Sequence, residues 1–183
     1  MESPTDFREK IARFEAVVLP HLDSAYNLAR WMTRNGSDAE DIAQEAMLRA
    51  FRFFDTFRGE DGRVWLLTIV RNTYLTWVRR ELPRQNSAEF DERLHTDLEL
   101  VLTPESEVLR QATAEQVRRA IESLPAEFRE VILMRELEQL SYKEIAAVTK
   151  SPLGTVMSRL SRARSMLRQM IGEEKRAEVR HHG

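Results

Sequence analysis

None of the 183 positions is a cysteine. That excludes disulfides, thiolate nucleophiles and any zinc or iron–sulfur centre held by sulfur. No apolar run approaches the roughly 20 residues of a membrane-spanning helix, and the first residues, MESPTDFREK, lack the apolar core of a signal peptide. The compartment expected is therefore the cytoplasm. Glycine and proline are sparse, six of each, and no stretch alternates apolar and polar residues with the period of a strand. The net charge of −2 is too small for bulk electrostatics to name a partner.

With 42% hydrophobic and 32% charged residues, the composition is that of a soluble globular chain. Its apolar spacing is helical nearly throughout, so an all-α fold is expected, with two small helical domains joined by an acidic linker. Helices are expected over residues 6–18, 20–34, 37–54 and 64–81, the third opened by a capping box of Ser37 and Glu40. Gly59 and Gly62 break the chain before the fourth, and Pro83 ends the block. The N-terminal domain is accordingly placed at 1–84 and the linker at 85–103. From Gln85 to Glu107 there are seven acidic residues and one arginine. Thr103-Pro104 marks the next helix start, and the second domain spans 104–172 with helices at 104–123, 125–137, 142–149 and 152–170. A polar tail, 173–183, follows and is expected to be solvated.

Charge distribution is more informative than its sum. Lys150 to Met170 contains five basic residues and no acidic one, the pattern of a segment that meets an anion. Ser141-Tyr-Lys-Glu144 is a capping box opening a short helix. Lys150-Ser151 makes a tight turn, with Ser151 as N-cap and Pro152 at the first helical position. In the helix that follows, Val156, Leu160, Ala163, Leu167 and Met170 form one buried stripe at steps of three and four. Thr155, Ser158, Arg159 and Arg162 fall on another face, with Arg164 and Arg168 on its flank. Hydroxyls near the start and arginines behind them suit a helix in the DNA major groove. A solvated helical hairpin explains any single arginine. The combination of capped helix, tight turn, Pro-initiated helix and acid-free face favours DNA.

The run Pro152-Leu-Gly-Thr-Val-Met-Ser-Arg-Leu-Ser-Arg-Ala-Arg164 resembles region 4 of bacterial RNA polymerase sigma factors of the extracytoplasmic-function group. Ile121-Glu-Ser-Leu-Pro125 with Phe128-Arg-Glu-Val-Ile-Leu133 resembles the start of that region. The resemblance implies that the second helix of the motif contacts the promoter's −35 element through Pro152, Thr155, Ser158, Arg159, Arg162 and Arg164. The chain departs from the family at Thr149-Lys150, where Leu-Gly is usual, and at Met157, where a basic residue is usual.

Ser37 to Phe51 is similar to the family's region 2.2, which implies that Asp38, Asp41, Gln44 and Glu45 engage a helical coiled coil on the polymerase's large subunit. In its own right this segment is an acidic edge beside an apolar face. The helix VWLLTIVRNTYLTWVRRE is apolar around most of its circumference, with Trp65 and Trp77 assigned to the core. It leaves a narrow polar stripe able to bond phosphates and bases. It looks like regions 2.3 to 2.4, which implies that Arg63, Arg71, Asn72, Thr76, Arg79 and Arg80 recognise the −10 element and help melt it. Thr76 stands where the family often has aspartate. The loop Arg58–Arg63 occupies the place where the family captures an unstacked base, and opening one pair costs only a few kcal/mol, so no ATP is required. The implied partners are core RNA polymerase, promoter DNA and an anti-sigma protein.

Enzymatic readings find no support. Glu92–His95 and Glu178–His181 have a carboxylate–histidine metal spacing but lie in the linker and the tail, not on facing core helices. His21 near Asp23 lacks a nucleophile motif, and no Gly-rich phosphate loop occurs. No catalytic residue, metal or cofactor is therefore expected. The alternative is a conventional helix-turn-helix regulator whose N-terminal domain senses a ligand or dimerises. A protein-binding adaptor is a third class, disfavoured by the acid-free helix.

Overall fold

Helical periodicity is realised along the described chain, residues 4–59, 61–81 and 113–181 of a computed structural model, with no strand among them. The chain divides into two compact units, Met1–His95 and Thr96–Gly183. The first contains α1 (Pro4–Val17), a 3₁₀ turn at Leu19–His21, α2 (Leu22–Thr33), α3 (Gly36–Phe53), a second 3₁₀ turn at Phe54–Thr56 and α4 (Gly62–Glu81). The second contains α5 (Ala114–Ser123), α6 (Ala126–Glu136), α7 (Tyr142–Thr149) and α8 (Leu153–His181). The acidic linker at 85–103 and the helix start at Thr103-Pro104 lie outside the described residues.

In the first unit, α3 buries a stripe of small residues, Ala39, Ala43, Ala46 and Ala50, around Ile42. It packs on Ala25, Leu28, Ala29 and Met32 of α2. Small side chains on both faces let the two backbones approach closely. Helix α4 lies against both helices through Leu66, Leu67 and Val70, all completely buried. Phe14, Phe54, Phe57 and Trp65 cluster at one end, with Phe14–Phe54 and Phe57–Trp65 ring centroids 5.3 Å apart. Trp65 is half-buried in this cluster, and Trp77 is half-buried and stacked on Tyr74. Neither tryptophan is fully enclosed, in contrast to the core role expected for them.

All four helix starts of the first unit differ from expectation, α1 beginning at Pro4 instead of Asp6. Pro20 enters a 3₁₀ turn, and α2 begins only at Leu22. Helix α3 is capped by Asn35, whose side chain accepts from the Asp38 amide, so Ser37 already lies inside the helix and its box with Glu40 is unused. The extended backbone of Asn35 explains this, because a cap must hold non-helical dihedrals while its side chain turns back. Helix α4 starts at Gly62 rather than Val64. Asp61 accepts from the Arg63 amide at 2.8 Å, and its carbonyl accepts from Trp65.

In the second unit, the Ser141–Glu144 capping box forms as expected, and a second one, Thr113 with Gln116, opens α5. The buried face of α7 is Ile145, Val148 and Thr149, with Tyr142 and Ala146 half-buried. The stripe of α8 is Val156, Leu160, Ala163, Leu167 and Ile171, with Ile171 taking the place expected for Met170. The Pro152 carbonyl accepts from the amides of Thr155 and Val156, so Pro152 is itself the N-cap and Leu153 the first helical residue. Ser151 instead donates to the Thr149 carbonyl. Beyond residue 172, where a polar tail was expected, α8 continues to His181. Glu174 of this extension accepts from Arg119 of α5, which gives the added turns a tertiary contact.

The turn between α7 and α8 is made by Lys150 in the left-handed region, φ 52°. Its amide closes the helix onto the Ala146 and Ala147 carbonyls. A side chain there is strained, and glycine would relieve the strain while adding freedom to the unfolded chain. Lys150→Gly is expected to stabilise the second unit by up to about 1 kcal/mol. Circular dichroism during urea denaturation measures it, and a lowered midpoint would show that the lysine is held there without strain.

Candidate nucleic-acid interface

The capped turn and the apolar stripe of α8 decide which of its residues reach outward. With Val156, Leu160 and Ala163 buried, Ser158, Ser161, Arg162, Ser165 and Arg168 are exposed on the opposite side. Pro152 and Leu153 are exposed at the helix start, and Thr155 is half-buried. The Ser158 hydroxyl donates to the Thr155 carbonyl and keeps its lone pairs outward. None of the described residues of α8 before Glu173 is acidic. The positive end of the helix dipole adds to this field.

The arginines of the helix are not equivalent. Arg162 is exposed, whereas Arg159 lies 3.9 Å from Glu130 and Arg164 lies 3.0 Å from Glu136, both carboxylates belonging to α6, Glu130 buried and Glu136 partly buried. Burial alone would lower the pKa of the Arg164 guanidinium. Hydrogen bonds with Glu136 and Tyr142 outweigh it, and the net direction is upward. Arg135 sits 5.3 Å over the Tyr142 ring and donates to the Leu140 carbonyl, so one polar cluster ties α6, α7 and α8 together. Arg164 thus stands in a tertiary ion pair rather than free on the flank. Sequence spacing gives no signal for this, because its partner lies 28 residues away. Ser161 and Met157, which the polar pattern did not single out as readers, lie on the exposed side of α8.

In the first unit, Asn72, Thr76 and Arg79 share a face of α4 through their spacing of four and three. Thr76 donates to the Asn72 carbonyl. Arg79 and Arg80 are exposed in the last turn, and Arg63, Arg71 and Asn72 are half-buried. Arg63 and Arg80 are 17 residues apart, so about 25 Å of helix separates them and they do not form one compact site. The loop before α4 has one of its acids, Asp61, committed to capping.

On α3, Asp41, Gln44 and Glu45 are exposed and Asp38 is half-buried. Glu45 is paired with Arg49. Beside this edge an open groove of about 640 Å³ runs between α2 and α3. Leu22, Tyr26, Ala43, Met47 and Leu48 form its walls, and Gln44 lies at its rim. Leu48 is 64% exposed, unusual for a leucine on a packed helix. Among the described residues no cluster of three or more His, Asp or Glu could hold a metal, and no helix is long and apolar enough to cross a membrane.

Residues 17–82 match the family model for sigma-70 region 2, and residues 114–167 match that for sigma-70 region 4. The chain is 38% identical over 151 residues to the ECF RNA polymerase sigma-E factor of Haemophilus influenzae, covering 79% of each. It is 35% identical over 162 residues to the RNA polymerase sigma-H factor of Pseudomonas aeruginosa, covering 84% of this chain and 83% of that one. Among solved structures it is similar to the sigma factor RpoE of Bartonella quintana, crystallised with the anti-sigma factor NepR. The TM-score there is 0.70 at 25% identity, over 87% of this chain and 97% of the other. The fold also matches CnrH, solved with the cytosolic domain of CnrY, with a TM-score of 0.59 at 22% identity, over 87% of this chain and 88% of that one.

Proposed function

The chain belongs to the sigma-70 family, in its extracytoplasmic-function group, and on that premise we propose a residue-level assignment of its promoter and polymerase contacts. It is a sigma factor that binds core RNA polymerase and directs promoter-specific initiation. The family consists of non-catalytic initiation factors; in this chain too, no side chain carries out chemistry, and nucleotidyl transfer belongs to the polymerase. It acts in the cytoplasm, where the polymerase is. The domain division is 1–84, 85–103 for the connector, 104–172 and 173–183, with the helix of the second domain running on into the last segment.

Helix α8 reads the −35 element. Pro152, Thr155 and Ser158 lie toward the base edges, and Arg162 bonds the phosphates or a guanine. Arg159 and Arg164 act from positions set by Glu130 and Glu136. Helix α4 serves the −10 element through Asn72 and Thr76, with Arg71, Arg79, Arg80 and Arg63 on the flanking backbone. Asp38, Asp41, Gln44 and Glu45 meet the polymerase, and the apolar groove beside them receives a helix of that partner. Because the sigma factor RpoE, a structural relative, was solved with the anti-sigma factor NepR, an anti-sigma protein is a second partner for the same chain. The observation that carries the reading is the outward face of α8, acid-free up to Gly172, behind a capped turn.

Transcription from a promoter library by this chain and core polymerase alone tests it. A conventional regulator would bind duplex DNA by itself and give no promoter-specific initiation in that mixture. Replacing Arg159 and Arg162 together by alanine is expected to flatten the dependence of log K on log salt by about 1 to 2 units. Arg162 should account for most of the change, since Arg159 is already partly neutralised by Glu130. An unaltered slope would place another face of the helix against the DNA.

A further inference from the structure

We infer that Met157 is a specificity residue that recognises the C5-methyl group of a thymine in the −35 element. The inference rests on the assignment of α8 to the major groove and deepens it. Met157 is 52% exposed on a helix whose other exposed positions from the second turn to Gln169 are serines, arginines and a glutamine. The helix has no shortage of buried apolar positions, so this side chain is not a misplaced core residue. It lies one residue from Ser158, four from Ser161 and five from Arg162, at the edge of the outward face. It also lines a small open pocket of about 250 Å³ with Tyr142, Ser161, Arg164 and Arg168. The rim of that pocket is cationic and hydroxylated, which suits a polyanion. An apolar protein partner would have to strip water from Arg168 and Arg162 to reach the methionine.

A thioether neither donates a hydrogen bond nor accepts a strong one. In the major groove three of the four base edges offer only donors and acceptors, and thymine alone adds an apolar group. The match for Met157 is therefore the thymine methyl, and methionine's unbranched, polarisable chain can adapt to its exact position. A basic residue at this position would favour a phosphate or a guanine instead. The methionine thus exchanges salt-dependent affinity for selection of one base.

The experiment uses the full-length chain with core polymerase on a promoter drawn from the library, with each −35 thymine replaced in turn by deoxyuridine. That exchange deletes the methyl and preserves every hydrogen-bonding group. At one or two positions uridine is expected to weaken binding about fourfold, the equivalent of one buried methyl group. Met157→Ala and Met157→Gln should bring thymine and uridine templates to equal affinity there, while Met157→Leu keeps a difference. Thermal denaturation of each variant checks that the exposed substitution leaves the fold intact. If uridine is tolerated everywhere while Arg162→Ala still weakens −35 binding, Met157 reads no methyl and the inference fails alone. If Arg162→Ala is also without effect, the assignment of α8 itself fails. A thymine preference that persists undiminished in Met157→Ala would move the methyl contact to another residue.

Discussion

Leu160→Ala is expected to lower the stability of the second unit by about 3 kcal/mol, enough to disable its promoter binding under conditions where the first unit stays folded. Leu160 is 1% exposed in the middle of the α8 stripe, between Val156 and Ala163. Truncation removes three carbon atoms from the core, about 2.4 kcal/mol of transfer energy at ~0.8 per carbon. A cavity adds to this, because α6 and α7 are fixed on either side by the Glu136–Arg164 pair and the Lys150 turn. Collapse around the void would disturb both, so the site relaxes poorly and the cost lies in the middle of the range for such substitutions. For a unit of this size the melting temperature should fall by more than 10 °C.

The chain supplies its own control. All three tryptophans, Trp31, Trp65 and Trp77, belong to the first unit. Tryptophan fluorescence therefore follows that unit, whereas circular dichroism follows both. In Leu160→Ala the dichroism transition should split, with an early phase that fluorescence does not register. A single unmoved transition in both signals would mean that Leu160 is not enclosed as described. The functional consequence is equally specific. Core binding through the α3 face should persist, while discrimination among −35 sequences should disappear.

How much of this was legible in the sequence depends on the range of the interaction. The Ser141–Glu144 box and the apolar stripe of α8 are local patterns, and both were readable because they depend only on spacing along one helix. The start of α3 differs from the sequence expectation for an equally local reason. Asn35 and Ser37 are both good caps, and only the backbone, extended at Asn35, decides between them. The pairing of Arg159 and Arg164 with Glu130 and Glu136 was not readable, since the partners are set by how α6 lies against α8. That pairing changes the site. Of the arginines expected on the outward face and its flank, Arg159 and Arg164 are paired with carboxylates of α6, so the unpaired positive charge is smaller and better positioned. The helical course beyond residue 172 was hidden by the polarity of the segment, which composition alone makes resemble a solvated tail.

Gly62 shows the same limit in a single residue, and the second large effect is expected there. In the sequence it is one of two glycines in a loop, a plain break before α4. In the structure it is the first residue of α4, and a Cβ on it would lie 2.5 Å from the Val17 carbonyl oxygen and 2.8 Å from the Val17 Cγ1. Alanine has the better helix propensity by about 1 kcal/mol in a helix interior, so on local grounds Gly62→Ala should stabilise. The overlap opposes this and outweighs it, because the first obstacle is backbone and cannot rotate away. Relieving it means moving the end of α1, which is anchored by Phe14 and the adjoining Val18, both buried in the aromatic end of the core. A net loss of about 2 kcal/mol is expected for Gly62→Ala, at the middle of the range for overpacked sites, and a larger one for Gly62→Val. Tryptophan fluorescence should now report the destabilisation directly, with the second unit unaffected, the reverse of the Leu160→Ala pattern. A midpoint that rises in Gly62→Ala would mean that α1 does not press on α4 at this point, and helix propensity alone would then govern the site.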